Sequence, residues 1–167
     1  MPSLFIVERT AINVKNIIFN YSDFYQFLKK TLNDFGYFVD EKKYTHNPND
    51  GKNYIDFYWK CTKEIDDYSQ NILEIDAKFF EIEDIKVMKE KRKELLDKGN
   101  ALIKFKATLQ TDYDKKWESS AFINFIKTIF ENVFEKSSVN QYKEELKNEV
   151  YNIENEIKSY FNIQKMI

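Results

Sequence analysis

Asp76-Ala77-Lys78 lies in a stretch of two-residue alternation, with Glu74 two positions before it and Asp56 on the preceding stretch of the same kind. Carboxylates on adjacent strands beside an Asp-x-Lys can hold a divalent cation through oxygen ligands. The lysine then polarises water or phosphate. Asp56, Glu74, Asp76 and Lys78 are therefore the residues that a metal-dependent nuclease would use. A plainer reading competes with this one. If Lys60 lies opposite Glu74, then Asp56 lies opposite Lys78, and both pairs join opposite charges across a hairpin. The same register sets Phe57 against Ala77 and Trp59 against Ile75, large against small. Cross-strand pairs of this kind contribute roughly 0.2–1 kcal/mol each, enough to favour one register over a slip.

The other chemical groups are sparse. The chain holds one histidine (His46), one cysteine (Cys61) and three glycines (Gly36, Gly51, Gly99), with no Gly-rich phosphate loop. His46 adjoins the Asn47-Pro48 turn signal and has no Cys/His companion at metal-binding spacing. Cys61 shares a face with Trp59, where a small buried thiol is ordinary packing. A single cysteine excludes an internal disulfide. The residues predict no cofactor. Lys89, Lys91, Arg92 and Lys93 form a basic cluster that could contact an anion, joined by Lys86 and interrupted by Glu90. Glu94 and Asp97 follow, and no aromatic residue interleaves to stack bases, so a solvated connection is the stronger reading. A nucleic-acid partner is not expected.

The elements that would position these groups follow from periodicity. Residues 4–19 read as one or two strands. Phe24, Phe27, Leu28, Leu32 and Phe35 recur at helical spacing behind the capping side chains of Asn20–Ser22, and Gly36 offers a left-handed stop. Residues 37–46 form a weaker strand before the turn signal Asn47-Pro48-Asn49-Asp50-Gly51. In residues 54–64, Ile55, Phe57, Trp59 and Cys61 share one face. Leu73, Ile75, Ala77 and Phe79 do so on the returning strand. A phase shift at Phe79-Phe80 predicts a bulge or bend before residues 82–88. Residues 89–98 read as a charged connection. In residues 100–110, Ala101, Ile103, Phe105, Ala107 and Leu109 alternate with polar residues. Near Trp117 the rhythm becomes helical: Phe122, Phe125, Ile126, Ile129, Phe130, Val133 and Phe134 make a wide apolar stripe over a helix at 119–134. Ser138 and Gln141 suggest a capping box. Behind them Tyr142, Leu146, Val150, Ile153 and Ile157 run near heptad spacing along a helix at about 138–161.

Composition sets outer bounds. At 167 residues, with 17% aromatic residues, the chain is most simply one domain with ample apolar surface to bury. Its net charge of −2 gives no global attraction to nucleic acid or anionic lipid. The first residues lack the basic leader and apolar length of a signal peptide. No 18-residue apolar span is present. A cytoplasmic location is the expectation.

Several landmarks carry a likeness: Gly36-Tyr37, Glu41-Lys42-Lys43-Tyr44, Trp59-Lys60, Asp67-Tyr68, Lys104-Phe105-Lys106-Ala107, Asp112-Tyr113, Trp117-Glu118 and Glu149-Val150-Tyr151. In their spacing the chain resembles a group of small archaeal proteins of unassigned function over about residues 20–162. The resemblance implies an archaeal-type α+β protein and brings no catalytic residue with it.

The expected fold is α+β, a curved and mainly antiparallel sheet of five or six strands. It packs against an N-terminal helix and two C-terminal helices, the last lying alongside or projecting. The expected function is non-enzymatic, an interaction or assembly module. It would act through aromatic surface (Tyr54, Tyr58, Tyr68 and Phe80 fall on the nominally outer strand faces) and through the final helix. Tyr142, Leu146, Val150, Ile153 and Ile157 would form the surface for a protein partner or for self-association. The alternatives are an apolar small-molecule site between sheet and helix, lined by Phe57, Trp59, Phe105 and Phe125, and the metal-dependent nuclease.

Overall fold

The computed structural model describes residues 2–113 and 136–165. Five strands and two helices follow in the order β1 (Ser3–Phe19), α1 (Tyr21–Asp34), β2 (Phe38–Asn49), β3 (Lys52–Glu64), β4 (Ser69–Lys89), β5 (Arg92–Thr111) and α2 (Lys136–Lys165). All pairings are antiparallel and the spatial order is β1-β5-β4-β3-β2, so that among the described residues β1 and β2 are the outer strands. The fold is α+β with a five-stranded sheet. The helix expected at 119–134 lies outside the described residues.

Local chemistry explains the boundaries. Asn20 caps α1, its Oδ1 accepting the Asp23 N–H at 3.0 Å. Gly36, at φ +88°, ends the helix. Its N–H donates to the Asn33 carbonyl and the next N–H, of Tyr37, reaches back to Leu32. This is the Schellman arrangement that a left-handed residue permits.

The hairpin register inferred from charge and size is present. Lys60 stands opposite Glu74, Asp56 opposite Lys78, Phe57 opposite Ala77 and Trp59 opposite Ile75. The phase shift after Phe79 is a bulge between Phe80 and Glu83, but β4 runs on through it, so residues 82–88 are no separate strand. At the bulge Gly99 passes so close that a Cβ there would stand 3.1 Å from the Ile82 Cα and 3.2 Å from the Phe80 carbonyl oxygen.

Other boundaries depart from expectation. Residues 89–98 are not a connection, because β4 and β5 continue to a tight turn at Glu90-Lys91, where both residues have positive φ. Beyond the reach of β1 and β3 this hairpin stands as a two-stranded ribbon. Pro48 sits within β2, and only Asp50-Gly51 turns the chain. An edge strand tolerates proline because its outward N–H has no ladder partner to lose. Helix α2 already runs at Lys136, which places Ser138 inside it rather than at its cap.

One face of the sheet carries the core. Phe57, Trp59, Leu73, Ile75, Phe79, Ile103 and Phe105 pack there with Phe24, Leu28 and Leu32 of α1 and with Leu146, Val150, Ile153, Ile157 and Phe161 of α2. Phe24 stacks on Phe161 with centroids 4.8 Å apart and tilts onto Phe79 at 5.5 Å, tying both helices to the sheet. Midway along α2, Glu149 accepts the Tyr37 hydroxyl at 2.6 Å and pairs with Lys63 at 2.5 Å. Helix α2 therefore lies against the sheet and does not project. Among the described residues no helix is long and apolar enough to cross a membrane.

Candidate functional site

The residues proposed from the sequence divide in space. Leu146, Val150, Ile153 and Ile157 are buried in the chain's own core, and Tyr142 is half-buried with its hydroxyl on Asp66 Oδ2 at 2.9 Å. This corrects the partner surface assigned to the final helix. A near-heptad stripe needs an apolar counterface, and here the chain's own sheet and α1 supply it. Three of the residues named for the apolar pocket lie in the same core. Phe57, Trp59 and Phe105 are almost fully buried, and Tyr25 sets its ring 5.5 Å from Phe57 and 5.0 Å from Trp59. Phe125 lies outside the described residues.

The carboxylates behind the nuclease reading point to the opposite face of the sheet, on which no described helix packs. Glu74 is held on both oxygens, Oε1 by the Tyr58 hydroxyl at 2.5 Å and Oε2 by Lys106 at 2.6 Å. Burial alone would raise its carboxyl. The bonds from Lys106 and Tyr58 outweigh that and hold it below its ordinary value. The Tyr58 phenol is pushed up to about 12, by burial first and then by Glu74. Asp56 stands opposite Lys78, and Asp76 opposite Lys104. Among the described residues no three carboxylate, histidine or cysteine side chains converge as a metal would need. Of these carboxylates Glu74 is taken up in a cross-strand ion pair, while Asp56 and Asp76 stand in register with lysines. The ion partner of Glu74 is Lys106 of β5, which sequence reasoning missed because it did not place β5 beside β4.

The single cysteine and histidine are structural. Cys61 is buried, and burial, with Asp40 adding to it, pushes its thiol up to about 12, far from a working nucleophile. His46 is bonded through Nε2 to Asn53 Oδ1 at 2.9 Å across the β2–β3 hairpin. The basic residues sit at the far end of the β4–β5 ribbon, with Lys86, Lys91, Arg92 and Lys93 exposed. Glu90 and Glu94 are exposed among them.

On the face away from α1 and α2, cross-strand register generates two rows that the linear sequence hides. One is uncharged across all five strands: Phe38, Thr62, Ile72, Thr108 and Ile6. The neighbouring row reads Asp40, Lys60, Glu74, Lys106 and Arg9, nearly alternating in sign. Phe38 and Ile6, which end the first row, are 71% and 53% exposed, and Leu4 beside Ile6 is 63% exposed. Two hollows open where the rows meet β1. One, of about 250 Å³, is lined by Leu4, Ile6, Lys60, Ile72, Glu74, Lys106 and Thr108. The other, of about 550 Å³, is lined chiefly by Arg9, Tyr58, Glu74, Asp76, Lys104 and Lys106. Of the outer aromatics named from the sequence, Tyr58 lines this second hollow; Tyr54, Tyr68 and Phe80 are half-buried elsewhere.

The two sheet edges differ in a way that bears on association. β2 carries Asp40, Glu41, Lys42 and Lys43 in succession, a bulge between Glu41 and Lys43, and Pro48. Charge, bulges and proline are devices that keep an edge from pairing. The first residues of β1, 3–7, carry no charge, and the bulge comes only after Ile6. Comparison with known protein families, with curated proteins and with solved structures finds nothing that matches this chain.

Proposed function

We propose that this protein is a non-enzymatic interaction module that receives an extended protein segment along the first residues of β1 and the adjoining uncharged row. The observation that carries this reading is the contrast between a guarded β2 edge and an unguarded β1 edge bearing exposed Leu4 and Ile6. A strand added at an open edge gains main-chain hydrogen bonds, and side-chain pockets beside it give selectivity. The hollow behind Leu4 and Ile6 supplies such a pocket, with Lys106 and Lys60 at its margin for an acidic flank on the partner. The sequence resemblance supports a module of an archaeal-type cell. Its partner is another protein or a second copy of the chain.

The test is native mass spectrometry of the protein purified from its own host, run beside a Leu4→Lys/Ile6→Lys variant. Both side chains are largely exposed, so the variant should melt as the wild type does. The expected result is a partner or dimer mass in the wild type that the variant loses. A partner retained by the variant, or a wild-type protein that is monomeric and bare, would overturn the proposal.

A further inference from the structure

A third concavity lies on the helix side of the sheet, between the first turns of α1 and strand β2. It has a volume of about 440 Å³ and is lined by Tyr21, Ser22, Tyr25, Glu41 and Tyr44. The bulge in β2 creates it. Glu41 and Tyr44 are three residues apart and would face opposite ways on a regular strand. The extra residue at Lys42 brings both to the helix side, where Glu41 stands opposite Trp59 and Tyr44 opposite Phe57. The facing helix turn is fixed independently, by the Tyr21 N–H donating to Asp97 Oδ2 at 2.8 Å.

The lining is aromatic on its walls and anionic at one point. Tyr21 and Tyr25 have centroids 6.1 Å apart, and Tyr25 and Tyr44 meet nearly at right angles, 87°, with centroids 6.2 Å apart. Glu41 Oε2 accepts from the Trp59 indole N–H at 2.9 Å and from the Tyr25 hydroxyl. Among the described residues no cation pairs with Glu41; its neighbour Lys42 pairs with Asp40 instead. The Tyr21 hydroxyl is shut off from water and has no hydrogen-bond partner among the described residues.

We infer that this cleft binds a small organic ammonium ion, with the rings of Tyr21, Tyr25 and Tyr44 against its alkyl faces and Glu41 as counter-charge. Ring faces attract a cation within about 6 Å of their centroids, and alkylated ammonium is the usual occupant of aromatic cages. An anion is disfavoured by Glu41. A divalent metal would need about six oxygen ligands, and the cleft offers one carboxylate whose Oε2 already takes two donors. The inference is independent of the β1 edge, since the two sites lie on opposite faces and opposite edges of the sheet.

Choline is the probe, followed by calorimetric titration and by the indole N–H resonance of Trp59, which reports on Glu41 directly. Its neutral isostere 3,3-dimethylbutanol is the control. The expected result is saturable binding in the millimolar range, at least about tenfold weaker for the isostere, a loss of about 1.4 kcal/mol. Glu41→Gln keeps an acceptor for Trp59 and removes the charge, and should weaken choline by a similar factor. Tyr44→Ala, at an exposed position, should weaken it about two- to fivefold. Equal affinity for the isostere, unchanged binding by both variants, or no saturation by about 50 mM choline would overturn the inference.

Discussion

Replacing Glu149 by alanine would strike the contact that fastens the middle of α2 to the sheet. Tyr37 is 2% exposed, and its hydroxyl donates to Glu149 Oε1 at 2.6 Å. Losing the acceptor strands that hydroxyl in the core, at a cost of about 1–3 kcal/mol. Lys63, paired with Oε2 at 2.5 Å, is 29% exposed and can turn toward water. Its loss adds only about 0.5–1 kcal/mol. The sum is roughly 1.5–4 kcal/mol, which for a chain of this size lowers the melting temperature by about 3–16 °C. Glu149→Gln preserves an acceptor for Tyr37 and should lose less than half as much. Urea unfolding of both variants, together with a cycle against Lys63→Met, separates the two contributions. A Glu149→Ala protein within about 0.5 kcal/mol of wild type would refute the argument, because a surface substitution would do as little.

Three further outcomes follow from the same packing. Gly99→Ala would push a methyl against the Ile82 Cα, and since backbone cannot swing aside the variant should lose about 1–3 kcal/mol by urea melting; an unchanged midpoint would show that the bulge relaxes freely. Leu146→Asp combined with Ile153→Asp puts two carboxylates into the core, so circular dichroism should show loss of cooperative folding. A folded monomer would restore those residues as a partner surface. Burial raises Cys61, Tyr25 and Tyr160 each to about 12 in the folded chain. The unfolded forms lose their protons first, so stability is intact below about pH 9 and falls as pH climbs toward 12. Urea midpoints that stay flat from pH 8 to 11 would contradict this, and Cys61→Ala should shallow the decline.

Sequence reasoning reached furthest where a buried face imposed a rhythm. The alternation in 100–110 and the Phe24–Leu32 spacing with Gly36 behind it located β5 and α1 because each side chain there meets the core. The β3–β4 register was readable because four pairs agreed in charge and size. The β4–β5 tip was misread as a connection. Only Leu95 and Leu96, side by side, interrupt the charges of residues 89–98, so no two-residue alternation shows there. The α2 stripe was visible, but an apolar helix face looks the same whether its counterface belongs to its own chain or to another. The Glu74–Lys106 pair, the uncharged row and the Glu41 cleft depend on strand order and on a bulge, and neither leaves a mark in hydrophobic periodicity.

Amide hydrogen exchange on the complex isolated from the host, compared with the free protein, bears most directly on the assignment of the β1 edge as the docking surface. The account predicts new protection in residues 3–7 together with reduced exposure around Ile72 and Lys106, while α2 exchanges as it does in the free chain. Protection that appears along α2 or the β2 edge, with residues 3–7 unchanged, would contradict it.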